Sequence, residues 1–350
     1  MSPTESATPA ISAENIMEMA TGFWASKALF TATELGVFDA LADGPARCSE
    51  LAARLGLPER SLQRLLTAAA ALGLLKRVGA AWANTEATGT LLVASSPEFV
   101  GGLFGHFDHD LYPLWAYLAD AVRQDGPRWK QAFGPDAPDN PFEAMYQDPA
   151  RLRQFLHCME ALSRDADAEL AERWDFSGAS HLLDVGGALG AVPLAVLSRH
   201  PHMTATVVDL PPVAPLAEQH IAEHGMAGKV HVVPGDFFAE PLPAGADVIT
   251  LGYVLDDWAD ERCEVILRRC FDALAPGGTV LVLEKVLHDN RTGPVSAALM
   301  NLNMLVATEG QERTLAEYAA LLAAAGFANP QLIVLEGSRD IVSAQKPLLA

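Results

Sequence analysis

Apolar positions along this chain follow two different rhythms. From Trp174 onward, short apolar runs at Leu182–Val185, Thr204–Val208, Val230–Val233, Asp247–Leu251 and Val280–Glu284 alternate with helical stretches. That alternation predicts a parallel sheet with helices on both faces and a ligand site at the carboxyl ends of its strands. The last residues, Gln331–Leu335 and Ile341–Ala344 around a turn at Gly337–Asp340, predict a closing antiparallel hairpin. Upstream the rhythm is helical. Ile16, Met17, Met19, Ala20, Phe23, Trp24, Leu29 and Phe30 recur too densely for a helix with a single buried face, so this helix is expected to bury a second one. Residues 49–75 have the helix, Gly-containing turn and second helix of a helix-turn-helix, and residues 75–84 suit a following wing.

Between these regions, residues 98–172 predict helices interrupted at Phe133–Pro141, where three prolines forbid regular structure. Large side chains crowd this stretch, among them Phe104, His109, Phe142, Met145, Tyr146 and Phe155. The expected organisation is a tail at 1–13, a helix-turn-helix unit at 14–97, helices at 98–172 and an α/β domain at 173–350.

Composition narrows the partners. With 350 residues, half of them hydrophobic, the chain is long enough for two cores, and no apolar run approaches membrane-spanning length. A helix-turn-helix invites a DNA-binding reading, but 24 basic against 44 acidic residues give a net charge of -20, which opposes every phosphate contact. The unit therefore reads as scaffolding, with neither nucleic acid nor membrane as partner. The polar, small N-terminal stretch has the form of neither a secretory signal nor a transit peptide, so a cytoplasmic location is expected. Cys48, Cys158, Cys263 and Cys270 lack paired metal spacing and read as reduced core residues.

The chemistry gathers at the predicted strand ends. Leu182 and Leu183 close a strand, Asp184 and Gly186-Gly187-Ala188-Leu189-Gly190 form a tight turn, and a helix opens at Val192. Asp209 ends the next strand about twenty residues on, where such sheets hydrogen-bond ribose hydroxyls. The glycine spacing does not fit the Gly-x-Gly-x-x-Gly of dinucleotide enzymes, and no Gly-Lys-Ser/Thr follows to cradle phosphates. A nucleoside without phosphates remains.

At this point the sequence resembles the S-adenosylmethionine-dependent methyltransferases, specifically the plant caffeate-type O-methyltransferases and their bacterial natural-product relatives. The motifs are Asp184 to Gly190, Asp209-Leu210-Pro211, Gly235 to Phe238, Asp257-Trp258-Ala259-Asp260, Pro276-Gly277-Gly278 and Glu312-Arg313-Thr314, and the resemblance runs from about Glu14 to Lys346. It implies a Rossmann-like class I methyltransferase domain, preceded by an N-terminal all-α, winged-helix-like domain that pairs two chains into a homodimer. It also implies S-adenosyl-L-methionine as cofactor, contacted by Asp184, Gly186, Gly187, Gly190, Asp209, Leu210, Asp236, Phe237, Gly252 and Trp258. A planar aromatic acceptor would be enclosed by His106, Tyr112, Trp115, His157, Met159, Asn303 and Met304. The implied reaction is methyl transfer to a phenolic oxygen, with C-methylation, N-methylation and a cofactor-retaining hydroxylase or cyclase as alternatives.

Three positions depart from the family. Asp256 stands where the family places the histidine that removes the acceptor proton, while Glu284 and Glu312 match its two bracing glutamates. Against a phenol, aspartate is the weaker base by about 2.6 pKa units, roughly 3.5 kcal/mol of driving force, unless crowding by Asp257, Glu284 and Glu312 raises its pKa. Gly252 replaces a lysine that many relatives set near the cofactor's carboxylate, and Ala188 replaces a common third glycine. A metal site built from Asp256 with His106, His109 or His157 is the weaker expectation, and no metal is assigned.

Overall fold

The computed structural model describes residues 11–96, 98–137, 146 and 148–348. Residues 1–10 of the expected tail, 138–141 of the proline-rich stretch, Phe142 and Met145 lie outside the described residues. The chain divides into two compact units, one reaching Asp108 and the other beginning at His109, so the helices expected over 98–172 are shared between them.

In the first unit, Ser12 caps helix α1 (Ala13–Glu34) by accepting from the Asn15 amide. α2 (Cys48–Leu55) ends on Gly56 in the left-handed conformation, and α3 (Glu59–Ala71) starts after Pro58. Strands β1 (Leu75–Val78) and β2 (Ala81–Asn84) pair as the wing. Leu51, Leu62, Leu66 and Trp82 bury together beneath them. On α1, by contrast, Met17, Met19 and Trp24 are 62%, 70% and 64% exposed, and Ala32 is its one buried residue. The second buried face expected of this helix is thus not supplied by the described residues of its own chain.

The second unit contains α4 (Pro149–Arg173), β3 (His181–Val185), α5 (Ala191–Arg199), β4 (Thr204–Asp209), α6 (Ala214–Glu223), β5 (Val230–Pro234), β6 (Ala246–Gly252), α7 (Asp260–Ala273), β7 (Leu274–Glu284), α8 (Val295–Ala307), α9 (Leu315–Ala324), β8 (Ala328–Ile333) and β9 (Asp340–Gln345). The sheet order is β5-β4-β3-β6-β7-β9-β8, parallel as far as β7 and antiparallel through β9 and β8. One core layer packs α7 and α9 against the sheet and the other packs α4, α5 and α6. Burial on both faces explains why these strands read as continuous apolar runs. The reversal of strand order beside β3 opens a crevice at the carboxyl ends, where β3, β4 and β6 deliver Val185, Asp209 and Gly252. All four cysteines are buried and free.

Candidate active site

The glycine turn after β3 is closed from two sides. Gly186 has φ +69°, and a Cβ there would stand 2.9 Å from Val254; a Cβ on Gly187 would collide with the Asp184 carboxylate. Gly190 caps α5 with φ +80°. Ala188 also lies in the left-handed region at φ 48°, a conformation that costs an alanine about 1 kcal/mol. Its amide donates to Asp209 Oδ2 at 2.8 Å, and Asp209 Oδ1 accepts from the Leu210 amide at 2.7 Å, so the expected ribose acid also fixes the turn. Burial pushes the Asp209 carboxyl up to about 6 against these two amides. Asp184 accepts from the Thr250 hydroxyl at 2.7 Å, and burial pushes it up to about 7. Tyr146 packs with Leu156, Leu189 and Val213 against this turn, and the charges of Asp209 and Asp257 help burial raise its phenol.

The second element is the 3-10 turn Leu255–Asp257 beyond β6. Glu284, at the end of β7, lies under it: Oε1 accepts from the amides of Val254, Leu255 and Asp256 at 3.3, 2.7 and 3.2 Å, and Oε2 from the Tyr318 hydroxyl. Arg313, fully buried, laces the turn to the segment between α8 and α9 by donating to the carbonyls of Leu255 and Trp258 at 2.8 Å and to Asp260. Gly310 rests directly on the backbone of Asp256, Asp257 and Trp258, where any side chain would collide. Asn301 holds the Glu312 amide at 3.0 Å.

Asp256 and Glu312 are 3% and 1% exposed. Asp256 Oδ1 and both Glu312 oxygens have no hydrogen-bond partner among the described residues. Burial, then the neighbouring carboxylates, raise Asp256 well above the usual range, Asp257 to about 8 and Glu312 to about 9. Because the donors converge on Glu284, it is the member best able to carry negative charge, while Asp257 and Glu312 hold protons near neutral pH and Asp256 is a stronger base than an ordinary aspartate.

Arg339, from the β8–β9 turn, occupies the space above Gly252. A Cβ at 252 would run into Nη1 of its guanidinium, which lies over the Tyr253 ring at 4.8 Å and pairs through Nη2 with buried Asp167. A cation thus stands where the sequence lacks a lysine. Trp258 meets Phe238 edge to face at 4.9 Å, and Arg262 lies 4.1 Å from each ring. Phe237 packs on Phe238 at 4.8 Å, and Asp236 Oδ1 accepts from the Phe238 amide.

Of the expected acceptor residues, Trp115 donates to Asn303 at 2.9 Å, Met304 is buried, Met159 is half-buried and Tyr112 is 38% exposed. His106 belongs to the first unit and packs on Phe107. His157 lies beside Glu160 and His220. Sequence reasoning assigned no role to Tyr146, Arg313 or Arg339. Arg313 had a signal, as a lone arginine beside Glu312 in its motif; Arg339 had none.

Comparison with known proteins agrees with this geometry. Residues 115–328 match an O-methyltransferase domain and residues 17–94 an O-methyltransferase dimerisation domain. The chain is 38% identical to the 3-hydroxy-5-methyl-1-naphthoate 3-O-methyltransferase of Streptomyces sahachiroi, over 95% of this chain and 94% of that one. It is 35% identical to the N,N-dimethyltransferase OxyT of Streptomyces rimosus, over 91% and 92%. Human N-acetylserotonin methyltransferase, solved with S-adenosylmethionine, superposes with a TM-score of 0.88 at 34% identity, covering 97% of this chain and 99% of that one. A tight glycine turn beside an acid at the end of the next strand, a two-sided sheet and a winged-helix unit thus coincide with similarity along nearly the whole length, and the chain belongs to the S-adenosylmethionine-dependent O-methyltransferase family.

Proposed function

We propose that this enzyme methylates a hydroxyl oxygen of a small aromatic acceptor and that Asp256 receives the acceptor's proton. The observation that carries this is the orphaned Oδ1 of Asp256, whose carboxyl is lifted by burial and then by its neighbours. Each unit of that rise recovers about 1.4 kcal/mol of the roughly 3.5 kcal/mol by which an ordinary aspartate falls short of histidine as a base. S-adenosylmethionine supplies the electrophilic methyl group. The chain's own work is therefore alignment and proton removal.

The residues present fit the cofactor. The turn at Gly186, Gly187 and Gly190 leaves backbone exposed to a ligand, Asp209 suits the ribose, Asp236, Phe237 and Trp258 the adenine end, and Arg339 suits the carboxylate in place of a residue at 252. Trp115, Asn303, Met304, Met159 and Tyr112 serve the acceptor. The apolar exposed face of α1 and the matched dimerisation domain support a homodimer through the first unit. No helix among the described residues is long and apolar enough to cross a membrane, which suits work in the cytoplasm.

A second reading, N-methylation, is favoured by the likeness to an N,N-dimethyltransferase and by an acid cluster suited to an ammonium group. Labelled cofactor with a panel of phenols and amines, read by mass spectrometry, separates the two. Asp256→Asn is expected to cut turnover of a phenol by about 10² to 10⁴ while cofactor affinity holds, and Asp256→His to retain it. Unchanged turnover in Asp256→Asn defeats the assignment, and a sharp rise of KM for amines alone in Asp256→His favours the second reading.

A further inference from the structure

Outside the acid cluster, helices α4 and α6 bring a different set of ligating side chains together. His157 and Glu160 stand three residues apart on one face of α4, and His220 faces them from α6. His220 Nε2 lies 3.1 Å from Glu160 Oε1, His157 Nδ1 lies 3.5 Å from Glu160 Oε2, and the ligand atoms of all three lie within 4.8 Å of one another. A tetrahedral ion with bonds of about 2.0–2.2 Å to nitrogen and oxygen needs ligand–ligand edges of about 3.3–3.5 Å. Each histidine already stands about that far from one Glu160 oxygen, His220 from Oε1 and His157 from Oε2, and exposed His157 has room to adjust so that both meet one ion.

Hydrogen bonding alone leaves this arrangement incomplete. His220 is 7% exposed, yet among the described residues its Nε2 is aligned for no hydrogen bond despite its closeness to Glu160. Two imidazole nitrogens and one carboxylate form a donor set that suits zinc and similar borderline divalent ions.

We propose that His157, Glu160 and His220 bind a divalent transition-metal ion, zinc by donor chemistry, which clips α4 to α6 and keeps one position for water. The site takes no part in methyl transfer. Its effect is mechanical: α4 Leu152 and Leu156 and α6 Leu216 pack with Leu189 of the glycine turn, so the clip holds the two helices that press on the cofactor turn.

The test uses full-length protein stripped with chelator and titrated with zinc chloride by calorimetry, with metal counted after gel filtration. Saturable uptake of about one zinc per chain and a higher melting temperature are expected. His157→Ala and Glu160→Gln should each weaken zinc binding by about tenfold or more, and cobalt-loaded wild type should show visible bands that shift in His157→Ala. His157 is exposed, so that variant remains informative even where a change at buried His220 impairs folding. Absence of saturable uptake, or affinity within about twofold of wild type in both variants, overturns the proposal.

Discussion

The two halves of the candidate site differ in how completely the chain satisfies them. Around the glycine turn, Asp184 has Thr250, and Asp209 has the amides of Ala188 and Leu210. At the 3-10 turn, Glu284 takes four donors and Asp256 Oδ1 and both Glu312 oxygens take none among the described residues. An unmet buried polar group costs about 1–3 kcal/mol, so the second half keeps a deficit that the first does not. The glycine turn is finished before any ligand arrives. The acid cluster is finished by protons or by an acceptor.

The largest expected effect comes from breaking the clamp that holds the unfinished half. Arg313→Ala takes the charged donor from the carbonyls of Leu255 and Trp258, leaving them weaker partners such as the Cys263 thiol, and opens a cavity, so unfolding stability should fall by about 3–5 kcal/mol in denaturant titration. A loss below about 1 kcal/mol would mean that the 3-10 turn stands without it. Next is the finished half. Asp209→Ala removes both the ribose acceptor and the restraint on Ala188, and cofactor affinity measured by calorimetry should drop by about 1.5–3 kcal/mol, or roughly 10- to 150-fold.

The smallest effect is a change of slope. Folded Glu312 keeps its proton up to about 9, whereas in the unfolded chain the group releases it near the ordinary 4.5. The folded state therefore binds more protons across that window, and stability should decline as pH rises through it. Glu312→Gln should flatten the decline and make the variant the more stable protein at pH 8, by about 1–2 kcal/mol. Parallel pH profiles for wild type and variant would place the titration on another member of the cluster.

Much of the finished half was legible in the sequence, because its residues lie at strand ends whose apolar runs announce themselves and whose glycines answer a local backbone need. The acids of the second half were legible as a group: Asp256, Glu284 and Glu312 do converge, although nothing in their spacing told which would gather the donors. That depends on the amides of the 3-10 turn pointing at β7, a tertiary fact. Arg339 and Tyr146 were silent because each reaches the site from a segment with its own local reason to exist, a hairpin turn and a helical stretch. The pairing of His220 with Glu160 was silent for the same reason.

Gly252 and Arg339 also constrain how this enzyme can change. Any side chain acquired at 252 has to evict the guanidinium, and losing the arginine first removes the cation and leaves Asp167, which is 2% exposed, with only the Ser163 hydroxyl against its charge. Neither single step is free, so the two positions form an epistatic pair whose members are best exchanged together. A library that varies one of them at a time will record both as intolerant, although a charge carried by either backbone position could serve the same end.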